Sequence, residues 1–339
     1  MRYMLLTVAA ASLAVPVLAQ DAAPPPSPGE IAAAAKPDEW VAIDAADLLV
    51  MDLAPDGAGK ARRVVIQLMP PPFSQGWIGN IRKLAAAHWW DGTSVNRVQD
   101  NYVAQWGDAT EKKPLPEGLA VVPESEYVSH FQTFVSGNEA DPKAYYRYPF
   151  VEMISAELPI AKDGKGKRQD GYGYQTGFSK GWPVVGELSA RATGKYQPAL
   201  WPVHCYGAVG VGRNMSPDTG SGAELYAVIG HAPRHLDRNI ALVGRVISGI
   251  EHLSSLPRGT EALGFYAEEK ERVPIVSIRI ASELPAAEQP KFEYLSTESD
   301  SFARYADARA NRRDPFFIAP AGGADICNIP VPVRAVAAK

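Results

Sequence analysis

The chain of 339 residues is 46% hydrophobic, enough apolar mass for one large core or two ordinary ones, which excludes a disordered chain. A formal charge of -4 and a pI near 5.9 exclude a general electrostatic attraction to nucleic acid. Met1-Arg2-Tyr3 is a short basic start, Met4 to Leu18 is an apolar run, and Val17-Leu18-Ala19 is a small-residue cleavage pattern. Residues 1–19 therefore read as a cleaved secretory signal peptide; the competing readings are an uncleaved anchor and a buried first helix. The run is short for a membrane span, and no later segment has enough consecutive apolar residues to cross a bilayer. The processed protein is thus expected in the periplasm or secreted, without stable membrane insertion.

Residues 20–39, rich in Ala and Pro, read as an extended linker, and folding is expected to begin near Trp40, with one domain over 40–335. Asp47 to Leu53 and Arg63 to Met69 read as two strands joined by the turn Ala54-Pro55-Asp56-Gly57-Ala58-Gly59. Trp77, Ile78, Ile81, Leu84, Ala85 and His88 recur at helical spacing, and Asp91-Gly92 ends that run. Further strands are predicted at Ala208 to Val211, Leu225 to Ile229, Ala241 to Val246 and Pro274 to Ile280. Val246, Ile250, Leu253 and Leu256 predict a second helix stopped by Pro257 and Gly259, and Ser301 to Asn311 a third. Many short strands with two packing helices predict a mainly β fold: a closed antiparallel β-barrel capped by two helices.

Cys205 and Cys327 lie far apart in sequence. They are either a disulfide that closes a long loop or two buried free thiols, since sequence does not show whether their Cα atoms come within about 7 Å. Gly207 to Gly212 superficially follows a dinucleotide loop, but Ser216-Pro217-Asp218 follows where a helix should present its amides to phosphate. His231 and His235 are four apart with Pro233 between them, which favours turn residues over a metal site. His204 beside Cys205 reads as structural, because neither a CxxC pair nor a nearby helix start accompanies it. Arg312-Arg313 reads as a solvated charge pair at a helix end.

The most informative stretch is Asp91-Gly92-Thr93-Ser94-Val95-Asn96-Arg97-Val98-Gln99-Asp100-Asn101-Tyr102-Val103-Ala104-Gln105-Trp106-Gly107-Asp108. It resembles the cyclophilin signature, in which a strand carries an arginine, then an aromatic, then a Gln-Gly-Gly-Asp-like turn. Arg97, Tyr102, Gln105, Gly107 and Asp108 occupy the corresponding places. Gly207 to Asn214, Gly222 to Val228, Leu236-Asp237 and Val243 to Val246 follow in the family's order. The likeness spans roughly Arg63 to Leu256 and implies a cyclophilin-like barrel with a long insertion at about 109–195. The insertion carries Tyr145-Tyr146-Arg147-Tyr148, a basic loop from Lys162 to Arg168, and Gly171-Tyr172-Gly173-Tyr174; the tyrosines read as packing it on the barrel, or as an accessory peptide surface.

The resemblance implies catalysis of cis/trans isomerisation before proline, against a barrier of ~18–20 kcal/mol from amide resonance. It assigns catalysis to Arg97 and Gln105: the guanidinium donates to the prolyl nitrogen as its lone pair localises, or orients the nearby carbonyl, and the glutamine can bond both the arginine and a substrate carbonyl. Tyr102, Val103, Tyr226 and Leu236 are implied as floor and wall for the proline ring, with Gly212, Glu224, His235 and Ile240 as further substrate-binding positions. Places usually held by phenylalanine carry Tyr102 and Tyr226, the methionine place carries Val103, and the serine-glutamine pair is Ala223-Glu224. His235 stands in the tryptophan place and Ile240 in a histidine place, so the pocket is more polar than the family's. No cofactor and no metal are implied, and the expected partners are proline-containing polypeptides. The leading reading is a peptidyl-prolyl cis-trans isomerase assisting the folding of exported proteins. The second, motivated by Glu224, His235 and Ile240, is a non-catalytic cyclophilin-like module that binds peptides as a chaperone or scaffold.

Overall fold

The computed structural model describes residues 24–130, 156–157, 172–173, 175–190 and 196–336. Its first half holds helix α1 (Pro28–Ala33), strands β1 (Trp40–Ala42), β2 (Leu48–Leu53) and β3 (Arg62–Leu68), helix α2 (Gln75–Ala86), and strands β4 (Ser94–Val98) and β5 (Val103–Gly107). The insertion and the residues just after it supply β6 (Ser129–His130), β7 (Ala156–Glu157), β8 (Gln175–Ser179), β9 (Trp182–Ala190) and β10 (Tyr196–Pro202). The remainder holds β11 (Ala208–Val211), β12 (Leu225–Val228), β13 (Leu242–Ser248), helix α3 (Glu251–Ser254), β14 (Val273–Ile280) and β15 (Phe292–Leu295). Helix α4 (Asp300–Ala310) and strand β16 (Val333–Ala335) complete it.

Leu49, Met51 and Leu53 on β2, with Val64, Ile66 and Leu68 on β3, alternate into one core. Leu48, Val50 and Val65, on the opposite face, pack against Ala281. Burial on both faces explains why β2 reads as a run of apolar residues from Leu48 to Met51. The hairpin turn is fixed by Asp56, whose carboxylate accepts the N–H groups of Ala58 and Lys60 at 2.9 and 2.8 Å. From this hairpin the sheet extends as β11-β12-β5-β4-β14-β2-β3-β13, and β13 pairs back onto β11 to close the eight-stranded antiparallel barrel. Helix α2 buries Trp77, Ile78, Ile81, Leu84 and Ala85 in the barrel core, and its Trp77 indole donates to the carbonyls of Thr219 and Gly220.

The second capping helix is shorter than its periodicity predicts. Val246 belongs to β13, paired with Ile66, and the strand continues to Ser248. Gly249 then turns the chain at φ +81°, where a Cβ would lie 2.1 Å from the Arg63 carbonyl oxygen. Only Glu251–Ser254 is helical, and Leu253 and Leu256 still enter the barrel core.

The segment expected as an extended linker contains α1. The Ser27 hydroxyl accepts the Glu30 N–H while the Glu30 carboxylate accepts the Ser27 N–H, with Pro28 at the first helical position. Ile31, Ala32 and Ala35 pack into a second core with Phe302, Tyr305 and Ala306 of α4. Folded structure therefore begins before Trp40. The Glu39 carboxylate, accepting from the N–H and hydroxyl of Ser301, ties this segment to the start of α4.

The insertion forms a five-stranded sheet in the order β6-β10-β9-β8-β7. Trp182, Val184 and Leu200 face the barrel core, whereas Phe178, Val185, Ala199 and Trp201 face the second core. The sheet is thus sandwiched between barrel and α4. Tyr145 to Tyr148, the loop Lys162 to Arg168, Gly171 and Tyr174 lie outside the described residues; the Tyr172 ring lies 4.8 Å from the Arg234 guanidinium. A three-stranded sheet, β1-β15-β16, completes the second core's surroundings. Cys205 and Cys327, with Cα atoms 5.1 Å apart, are disulfide-bonded across 122 residues. A loop of that length restricts the unfolded chain by roughly 5 kcal/mol in a chain-entropy treatment.

Candidate active site

The register of four neighbouring strands places the implied site on the outside of the barrel. Trp106 and Ala104 of β5 point inward opposite Leu225 and Ala227 of β12, so Gln105 and its partner Tyr226 point outward, with Gly210 of β11 beside Tyr226. On β4, both Val95 and Val98 are fully buried in the core. A β-bulge between them sets Asn96 and Arg97 against the single residue Gln105, which turns Arg97 to the outer face directly opposite that glutamine.

Arg97 is held on all sides. Its Nη1 donates to Gln105 Oε1 at 2.9 Å, its Nε to the Leu263 carbonyl at 2.7 Å, and its Nη2 to Gln99 Oε1. The guanidinium lies over the rings of Tyr102 and Phe265, 5.8 and 5.4 Å from their centroids. Three of its five N–H donors are engaged, so two remain for a ligand. No carboxylate pairs with it among the described residues. Burial lowers its pKa from the ordinary arginine value, with Tyr102 acting in the opposite sense.

Tyr102 sits in the β4–β5 turn made possible by Asn101 at φ +50°, and its half-buried ring stacks near-parallel on exposed His235. Leu236 and Ile240 pack partly buried beside the same core. Val103 and Tyr226 lie deeper, 2% and 4% exposed. Gly210 has no room for a side chain, because its Cβ would lie 2.3 Å from the Tyr226 ring.

The Tyr226 hydroxyl, which no phenylalanine would carry, has a complete set of buried partners. It lies 3.0 Å from His204 Nε2, and His204 Nδ1 lies 2.9 Å from Asp237 Oδ1. Asp237 Oδ1 also accepts the His204 backbone N–H, and its Oδ2 accepts from Arg234 Nε at 2.8 Å. With the carboxylate taking Nδ1–H, a neutral His204 presents Nε2 as the acceptor for the phenol. Burial pushes the Tyr226 phenol well above its ordinary pKa, so it stays protonated and donates.

Glu224 closes the other end. Its carboxyl lies against Gly107, where a Cβ would be 1.9 Å from Oε1, and its Cβ lies 3.0 Å from where one would stand on Gly212. Burial raises its pKa to about 7, against the lowering effect of Gln105, the Asp108 N–H and Asn96 turned toward it.

The structure brings Arg97, Tyr102, Gln105 and His235 together by direct contact, with Gly212 beside Gln105 and Glu224, whereas Leu236 and Ile240 pack against the barrel core. Sequence reasoning missed Leu263, which reaches Arg97 from 166 residues away, Phe265 beside it, and the buried chain His204–Asp237–Arg234. The Leu236-Asp237 turn was the one local sign of that chain. Gly207 to Gly212 runs into β11, with no helix after it. Arg312 and Arg313 pair with Asp314 and Asp307.

Arg97, Gln105 and Tyr102 are thus gathered on the outer face of a closed antiparallel barrel. The model of the family "Cyclophilin type peptidyl-prolyl cis-trans isomerase/CLD" matches residues 63–281, more than half of the chain, and the chain belongs to that family. Among solved structures, the cyclophilin AquaCyp293 from Hirschia baltica is similar with a TM-score of 0.63 at 22% identity, over 88% of this chain and 94% of that one. A cyclophilin type peptidyl-prolyl cis-trans isomerase from Cryptosporidium parvum, crystallised in the presence of the dipeptide ala-pro, matches with a TM-score of 0.34 at 11% identity, over 68% of this chain and 98% of that one. No curated protein matches the chain.

Proposed function

We propose that this protein is a peptidyl-prolyl cis-trans isomerase acting on X-Pro bonds of exported proteins and assisting their folding. The observation that carries the reading is the fixed Arg97 guanidinium with two N–H groups to spare above an aromatic and aliphatic groove. A proline ring set against Tyr102 and Leu236 holds one side of the bond by shape and dispersion. As the bond turns, resonance is lost and the prolyl nitrogen lone pair localises, and Arg97 donates to it. Gln105, already bonded to Arg97, orients the neighbouring carbonyl. These donors are placed before the reaction, so little reorganisation opposes them at the transition state.

Export is supported by the pattern of residues 1–19, which lie outside the described residues, and by a disulfide suited to an oxidising compartment. Exchange NMR on a short X-Pro peptide tests the enzyme reading. The processed protein accelerates isomerisation, and Arg97→Ala lowers kcat/KM by on the order of 100-fold, the usual loss on removing one preorganised donor. Equal acceleration by both proteins would overturn the mechanism.

The second reading, a non-catalytic peptide-binding module, is favoured by one observation: His235 and Ile240 stand where the family has tryptophan and histidine. It predicts affinity for the same peptides without acceleration, and a binding titration decides it.

A further inference from the structure

We propose that Leu263 and Phe265 form an apolar shelf beside Arg97 that selects the residue flanking the substrate proline, favouring X-Pro sequences with a large apolar neighbour. This deepens the isomerase reading and rests on its assignment of the groove. Both side chains face solvent, 64% and 38% exposed. Both also border the Arg97 guanidinium: the Leu263 carbonyl accepts from Nε at 2.7 Å, and the Phe265 ring centroid lies 5.4 Å from the group. Large apolar side chains exposed together at the edge of a polar site mark a surface that a ligand covers.

The backbone of Leu263 supplies a second argument. It is left-handed, at φ +59° and ψ 10°, a conformation in which a leucine is strained and Gly or Asn sits more easily. An exposed leucine gains little burial to offset that strain, and any other residue would bring the same backbone carbonyl to Arg97. Holding the arginine therefore accounts for the carbonyl but not for the side chain. Strain of this kind gathers at ligand clamps.

The loop is fixed to the arginine's own strand. On either side of Arg97, the Val98 and Asn96 carbonyls accept the N–H groups of Gly259 and Tyr266 at 2.9 and 3.1 Å, and the Tyr266 hydroxyl donates to the Pro257 carbonyl at 2.6 Å. Gly264, at φ +82°, lies so close to β4 that a Cβ would stand 2.7 Å from Gln99 Cα. The shelf is in place before a peptide arrives, so little ordering opposes its use. Because the guanidinium borders Tyr102 as well as Phe265, a proline ring resting on Tyr102 brings the adjoining residue toward the shelf. Successive Cα atoms are about 3.8 Å apart, and a Leu or Phe side chain spans the rest, whereas a small or polar neighbour leaves the shelf wet.

The test uses the full processed chain and a set of X-Pro peptides, with kcat/KM read by exchange NMR and Kd by titration. The residue before the proline is varied through Leu, Phe, Ser and Glu, and then the residue after it. Wild type should prefer Leu or Phe over Ser about tenfold at one of the two positions, the scale for a partly covered apolar side chain. Leu263→Gly keeps the left-handed backbone and the carbonyl on Arg97; combined with Phe265→Ser it should bring that ratio to about one. The ratio decides, since a loosened Arg97 would slow every peptide alike. In the unaltered protein, the Phe265 ring resonances should shift with the Leu peptide and not with the Ser peptide. No apolar preference in wild type, a preference that survives the double variant, or Phe265 resonances indifferent to the Leu peptide overturns the shelf. Wild type that binds the peptides with this preference but accelerates none of them keeps the shelf and identifies the isomerase reading as the part that failed.

Discussion

Arg97 has lost its side-chain freedom before any peptide arrives, since three fixed oxygens and two aromatic rings define where its guanidinium lies. The same holds for the groove's floor, where the Tyr226 hydroxyl is one member of a buried polar chain. Tyr226→Phe restores the family's usual ring but leaves His204 Nε2 buried without its partner. It is expected to cost about 1–3 kcal/mol, read from urea unfolding, and the cost should shrink when His204 is replaced by an apolar residue in the same chain. Arg97, Tyr102 and Gln105 were legible because they lie within nine residues in a spaced signature. Phe265 was not, and His204 was legible as structural but not its partners, because barrel closure brings these groups together and no local spacing records that.

Among elements, α1 shows how composition misleads. Ala and Pro around it suit an extended chain, yet Ser27-Pro28-Gly29-Glu30 is a Ser-x-x-Glu capping box with proline at the first helical position, and that sign was present in the sequence. What the sequence cannot display is the apolar face of α4 that waits for Ile31 and Ala35. Removing the chain up to residue 36 should therefore lower stability by roughly 2 kcal/mol, for the apolar area uncovered, while prolyl isomerisation survives. Calorimetry alongside the exchange assay checks both halves. The α3 periodicity misled in the opposite direction: Val246 serves strand pairing, and Gly249 breaks the apolar series that Leu253 and Leu256 continue in spacing alone. The insertion's strands were illegible because a sheet covered on both faces loses the apolar-polar alternation that marks a half-buried strand.

At the scale of the whole molecule, the barrel was legible because several of its strands, such as β3, β13 and β14, are short and rich in Val and Ile, and the family signature marks β4 and β5. The second core was not, because it is assembled from three distant stretches: the start of the chain, the insertion and the last helix. The three-stranded sheet has a practical consequence for protein engineering. Its middle strand, β15, carries β1 on one edge and β16 on the other, so the first and last strands of the described chain run about 10 Å apart. A circular permutant is therefore within reach: a short Gly/Ser linker joins the two outer segments, and new ends open in the 56–59 turn, where Gly57 and Gly59 have open space around them. Such a rearranged chain should keep the barrel's melting transition and its peptide groove, as thermal unfolding and peptide titration would register. It would also bring the α1 and α4 segments next to each other in synthesis, leaving the insertion sheet as the one distant stretch of the second core.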